Sequence, residues 1–212
     1  MAKQQVPFQQ LKDYLPENSF EDVYIYLRQY KVQLTITRQR QTVLGDYRHA
    51  HQNKGHRISI NGNLNPFSFL VTLLHELAHL FTFEKYGSRI PPHGKEWKDE
   101  FGKILASFVQ KKIFPPDIES VLLKTLKNPA ASSCGDESLL RALRNYDIKK
   151  EGQLIIEQLR HEEIFKINDG RLFKRAEKIR TRYKCIEIQT GKTYLFSGLY
   201  EVQSVKENPS PY

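Results

Sequence analysis

The sequence predicts an α+β protein: helices around a small antiparallel sheet over residues 1–128, a helical connector over 129–150, and a small all-β module over 151–212. Three observations lead there. Apolar residues recur mainly at helical spacing before the connector and at strand spacing after it. A small, polar stretch, Asn128 to Gly135, separates the two regimes. With 39% hydrophobic and 27% charged residues in a chain of 212, there is apolar material enough for a core, which excludes global disorder.

Each element has its own signal. Phe8, Leu11 and Leu15, then Phe20, Val23, Tyr24 and Leu27, recur every three or four residues and read as helix, with Asn18-Ser19 as a start signal ahead of Glu21 and Asp22. Val32, Leu34 and Ile36 alternate with polar neighbours, as strands do, and so does Arg57 to Asn61, with Gly45-Asp46-Tyr47 between them. From Pro66 to about Tyr86 the period becomes helical and nearly every face is apolar, the mark of a buried helix. Ser68, Thr72, His75, His79 and Thr82 occupy its remaining stripe. After the loop Gly87 to Pro92, a second helix is expected from His93 to about Gln110, and a shorter one from Ile118 to Leu126. In the C-terminal part, strands are expected around Leu154–Ile156, Ile164–Ile167, 171–177, 182–189 and 193–196. Asn168-Asp169-Gly170 and Thr190-Gly191 supply the turns.

Composition bounds the function. No run approaches 18 consecutive apolar residues, so no membrane span is expected. The N-terminus lacks the basic-then-apolar layout of a secretory signal, which points to the cytoplasm. Cys134 and Cys185 are too few for a disulfide scaffold, and Cys134 has neither a neighbouring His nor a helix start to activate it. A net charge of +9 favours acidic partners.

The chemistry is concentrated in His75-Glu76-Leu77-Ala78-His79. Residues four apart on a helix differ by about 40° in direction, so both imidazoles can address one tetrahedral ion. Glu76 is rotated by about 100° from His75, beside such an ion rather than on it. A general base belongs there, to take a proton from water activated by the metal. Burying two imidazoles and a carboxylate on so apolar a helix is costly without a strong partner, which disfavours a pair of ordinary core histidines. A third ligand is required. Candidates are His93, carried back by the Pro91-Pro92 loop, and the carboxylates Glu96, Asp99 and Glu100. His93 is favoured, because carboxylates early in a helix are usually solvated and already suit its dipole. His49, His51 and His56 read as exposed loop histidines with no metal role.

These residues carry a resemblance. TITRQR, LGDYR, HRISINGNL, LLHELAHL and HGKEWK, between Leu34 and Phe101, occur in an order similar to that of the SprT-like metallopeptidase family, which includes the Spartan proteases. The resemblance implies a zincin-type fold with His75, His79 and His93 as ligands of one zinc per chain and Glu76 as catalytic base. It implies a hydrolase acting on protein substrates, DNA-bound ones included. The chain departs from the family's His-Gly-Pro-x-Phe at His93-Gly94-Lys95-Glu96-Trp97. Many members also carry a four-cysteine zinc ribbon, whereas Cys185 is the only cysteine of the β segment here, so no second zinc is expected.

That segment is basic: Lys166, Arg171, Lys174, Arg175, Lys178, Arg180, Arg182 and Lys184 face only Asp169 and Glu177 in sequence. With Phe173 and Tyr183 interleaved, it suggests a surface that tracks phosphates and stacks bases, extended by Arg38, Arg40, Arg48 and Arg57. An ordinary solvated strand over core aromatics is the competing reading. The leading expectation is a zinc endopeptidase, monomeric, with strand Ile58–Ile60 beside its cleft pairing with extended substrate. The alternative is a nucleic-acid-associated binding protein with a structural or relic zinc site.

Overall fold

The computed structural model describes residues 8–40, 43–127, 137–148 and 152–205. The chain divides into two compact units, with the boundary between Asp147 and Ile148.

In the first unit a 3₁₀ helix (Phe8–Tyr14) and α1 (Phe20–Gln29) lead into β1 (Gln33–Thr37), β2 (Gly45–Arg48) and β3 (Arg57–Asn61). Then come α2 (Pro66–Tyr86), α3 (Lys95–Gln110), α4 (Pro116–Lys127) and α5 (Glu137–Arg144). The organising element is α2. Asn65 caps it, accepting the Ser68 N–H at 2.9 Å, and Pro66 occupies the first turn, where no donor is needed. Gly87 ends it at φ 78°, a left-handed backbone that glycine adopts without strain. Between these caps Phe69, Leu70, Leu73, Leu74 and Leu77 are fully buried. Facing them, α3 turns Trp97, Phe101, Leu105 and Phe108 inward. Each such side chain contributes about 1.5–3 kcal/mol through removal from water.

By length and average composition α2 is apolar enough to cross a membrane, with a mean hydropathy of 1.2, yet 67% of that window is buried inside the protein. It is the core helix of this unit. It escapes a search for uninterrupted apolar runs because Thr72, His75, Glu76, His79 and Thr82 punctuate it.

The sheet is mixed rather than antiparallel. Its order is β1-β3-β2, with β1 parallel to the central β3 and β2 antiparallel to it. Side chains alternate with the same period in either direction, so the pattern identified strands without fixing their sense. Leu34, Ile58 and Ile60 face the core, and the polar alternates face the other way. The stretch expected to be a connector contributes α5, whose Leu139 and Leu143 are buried in this unit's core. Asn65 Nδ2 donates to the Leu143 carbonyl at 2.9 Å, tying α5 to the start of α2. The polar stretch Asn128–Gly135, Cys134 included, lies outside the described residues.

The second unit is a six-stranded antiparallel sheet of β4 (Gln153–Ile155), β5 (Ile164–Lys166), β6 (Leu172–Ile179), β7 (Arg182–Glu187), β8 (Thr193–Ser197) and β9 (Glu201–Ser204). The order is β4-β9-β5-β6-β7-β8. Gly170 (φ 93°) and Gly191 (φ 67°) make the two expected turns. The periodicity did not reveal β9, which has one apolar residue, Val202, and is held between β4 and β5. Phe165, Phe173, Cys185 and Val202 are among the residues that form its core.

Candidate metal centre

His75, Glu76 and His79 lie in the middle of α2, where helical spacing brings the Nε2 atoms of the two histidines to 3.3 Å. His93 precedes α3 instead of opening it. It adopts φ 59°, a left-handed conformation that costs a non-glycine residue free energy, immediately before the helix-capping Gly94. Its Nε2 stands 3.0 Å from that of His79 and 3.2 Å from that of His75. Four ligands around zinc at about 2.0–2.1 Å lie about 3.3–3.4 Å apart in a tetrahedron. One cation satisfies all three nitrogens, whereas shared protons cannot satisfy a triangle of neutral rings. Among the described residues this is the one group of three side chains so placed.

The surroundings keep these rings in their ligand form. Burial first, then the two neighbouring imidazoles, pushes His75 down to about 3. Burial and then His93 push His79 down to about 4, and burial lowers His93. All three are neutral at pH 7 with lone pairs free for a metal. Beneath them lies Trp97, its ring centroid 4.7, 5.3 and 4.7 Å from those of His75, His79 and His93. Metal-bound histidines usually donate their other N–H to an acceptor. The Nδ1 of His75 is instead buried without a hydrogen-bond partner, and its ring is held by packing against Trp97 and Phe101.

Glu76 turns from the triangle toward β2. Its side chain is buried (6% exposed), and Gly45 passes so close that a Cβ there would meet Oε1 at 2.6 Å. Burial and the charge of Asp46 raise its pKa to about 8, against opposing pulls from Arg40 and the Tyr47 backbone N–H bonded to it. An acid poised near neutrality is suited to moving protons.

The ring of Tyr47 lies parallel to that of His79, centroids 6.4 Å apart. Its hydroxyl bonds His56 Nδ1 at 2.9 Å, and His56 Nε2 reaches Glu84 at 3.2 Å. Burial and Glu84 raise the Tyr47 pKa well above the ordinary phenol value. His56 is therefore no exposed loop histidine: it is 8% exposed and braces this flank. His49 stacks on Phe83, and neither it nor His51 joins the metal group. Nor do the rival carboxylates: Asp99 pairs with Lys95, Glu100 pairs with Lys85 and Lys103, and Glu96 stays outside the group. Sequence reasoning passed over Trp97, Gly45 and Tyr47 as site residues. Trp97 closes the HGKEW motif, and Gly45 and Tyr47 lie in LGDYR, but neither stretch says by itself which of its side chains reaches the site.

Two expectations about strands need correction. Ile58–Ile60 belongs to the central strand, hydrogen-bonded on both sides, so it has no edge to offer a substrate. The free edge beside Glu76 is that of β2. In the second unit Phe173 and Tyr183 are core residues (0% and 7% exposed), so their rings are not stacking platforms. Strand alternation sends them inward. Arg171 pairs with Asp169 and Glu187, Lys174 with Glu162, and Lys184 with Glu177. Arg175 covers the Tyr183 ring at 4.5 Å, and Lys178 lies 5.5 Å from it. Lys178, Arg180 and Arg182 stand exposed around the β6–β7 turn. In the first unit Arg40 is engaged internally, its guanidinium donating to Asn61, Ser59 and the Leu44 carbonyl.

Two histidines on a buried helix and a third from the following loop, with an acid beside them, form a group that could hold a metal ion. The SprT-like family model matches residues 8–116, half of the chain, and the chain belongs to that family. A 35-residue segment, 16% of this chain, is 54% identical to Protein SprT of Vibrio parahaemolyticus serotype O3:K6 (strain RIMD 2210633). The match spans only 21% of that relative's length. No solved structure matches the chain.

Proposed function

We propose that the chain is a zinc-dependent metalloendopeptidase with a zincin-type catalytic unit, acting on proteins that include DNA-associated ones. The observation that carries this is the triangle of Nε2 atoms, 3.0–3.3 Å apart, beside the buried carboxyl group of Glu76. Three imidazole nitrogens converging at one point suit zinc, which His75, His79 and His93 would hold. When bound there, zinc would supply Lewis-acid polarisation of a carbonyl and acidification of an attacking water.

The protein's own groups do the rest. Glu76 in its ionised form, which a cation held by the three histidines would favour, accepts the proton of the attacking water and returns it to the leaving amine nitrogen. Gly45, by lacking a side chain, and the Tyr47 N–H fix the position of that carboxyl. The unpaired edge of β2 offers backbone donors and acceptors to an extended peptide, which joins the sheet as a further strand. Trp97 closes the underside of the site. Support for DNA-associated substrates comes from the net charge of +9 and the exposed cations of the β6–β7 turn.

Wild type and Glu76→Gln, compared for zinc content and cleavage of a histone with and without single-stranded DNA, test the reading. Both proteins should hold one zinc. The variant should lose at least the roughly 10²–10⁴-fold that a general base supplies. Equal cleavage by the two would refute the role of Glu76. Salt-dependent DNA binding with no cleavage by wild type would instead select the nucleic-acid-associated alternative.

A further inference from the structure

The face of the three-stranded sheet opposite the core holds a groove of about 380 Å³, lined by β1, β2, β3 and Arg40. That size falls within the ordinary range for small-ligand sites. Alternation places Gly45 and Tyr47 on the inner side of β2, with Glu76 and His79, and puts Asp46 and Arg48 on the groove side. The groove is therefore separate from the metal centre.

The charges across it are unbalanced. Arg57 on β3 stands directly opposite Arg48 on β2, with Gln33 opposite it on β1. Like charges facing each other across a sheet are destabilising, and nothing in the core requires this pair. The only acid lining the groove, Asp46, is taken by Arg48 Nε at 2.9 Å. Arg40 is satisfied by Asn61 and Ser59. Arg57 is left with neither an ion pair nor a hydrogen bond among the described residues, and its Nε is buried without a partner. A guanidinium offers a planar fork of donors that matches phosphate oxygens two at a time. Gln33 and Ser59, on the same face, add neutral donors within the groove.

We infer that this groove binds a phosphate group, gripped by Arg57 and Arg48 and oriented by Gln33 and Ser59. The phosphate belongs either to the backbone of a single-stranded nucleic acid or to a free phosphate monoester. The inference is independent of whether the metal centre cleaves peptides.

The test uses the full zinc-loaded chain, wild type and the double variant Arg48→Gln/Arg57→Gln. Its probes are inorganic phosphate and a fluorescent single-stranded oligothymidylate. In chloride the double variant should melt no lower than wild type, because a repulsion has been removed. Millimolar phosphate, at matched ionic strength, should raise the wild-type melting temperature and leave that of the variant unmoved. If the natural ligand is a nucleic-acid backbone, the variant should also lose about 1.4 from the slope of log affinity against log salt, at about 0.7 per phosphate contact on a single strand. Loss of the phosphate response with an unchanged slope assigns the groove to a free phosphate monoester. The inference is overturned if the variant responds to both probes as wild type does, if wild type responds to neither, or if oligoglutamate binds where both phosphate probes fail.

Discussion

The polar stripe of α2 and the basic β6–β7 hairpin both appear in the sequence as runs of functional residue types, and folding treats them differently. On α2, a spacing of four keeps His75 and His79 on one face, burial strips them of water, and a loop delivers His93 to the same point. In the hairpin, a spacing of one or two distributes side chains to both faces of the sheet. Arg171, Lys174 and Lys184 find nearby carboxylates, and the interleaved aromatic rings turn into the core. Density in sequence becomes a site only where the backbone period makes the groups converge and burial denies them other partners.

The contrast can be broken or sharpened experimentally. The largest effect is expected at Trp97, buried beneath all three rings: Trp97→Ala should lower unfolding stability by about 3–5 kcal/mol and weaken zinc retention. Thermal or urea unfolding with metal analysis would read both, and unchanged values would remove Trp97 as the floor of the site. Next, His93→Ala should cost zinc affinity more than the 10–100-fold that loss of an outer partner costs, seen by chelator competition. The unit should still fold, because His93 lies in a loop.

A smaller effect concerns pH in the metal-free protein. His75 and His79 have folded-state pKa values of about 3 and 4, below 6.5, so the unfolded chain binds more protons between these limits. Stability is then lost as pH falls below about 6.5. Glu76, raised to about 8 from 4.5, acts in the opposite sense: its folded form holds the proton, and stability is lost as pH rises from 4.5 through 8. Metal-free Glu76→Gln should therefore lose more stability between pH 7 and 5 than metal-free wild type, measured by denaturant melts. Equal slopes would show that Glu76 does not titrate as a buried group.

The smallest stability effect is expected in the hairpin. Lys178→Gln/Arg180→Gln/Arg182→Gln should shift unfolding by no more than about 0.5 kcal/mol. If these cations contact nucleic acid, the same variant lowers the salt slope of oligothymidylate binding by about 2, at about 0.7 per contact. An unchanged slope makes the hairpin a solvated face.

Much of the architecture was legible because period reports burial. The long apolar helix, its start at Pro66 and the loop that begins at Gly87, and the turns at Gly170 and Gly191 all follow from local chemistry. Strand direction was not legible, since pleating looks alike in parallel and antiparallel pairs. Nor was β9, a short strand with one apolar residue, held through its two neighbours.

The order of residues along the chain was enough to place two imidazoles and a carboxyl group on one buried helix, because helical geometry is local and repeats every 3.6 residues. It could not say that Gly45 leaves room for Glu76, that Trp97 lies under the three rings, or that Arg57 faces Arg48 across an open groove. Those contacts join segments distant in sequence, and they arise only once packing has chosen which strand neighbours which and which face looks inward.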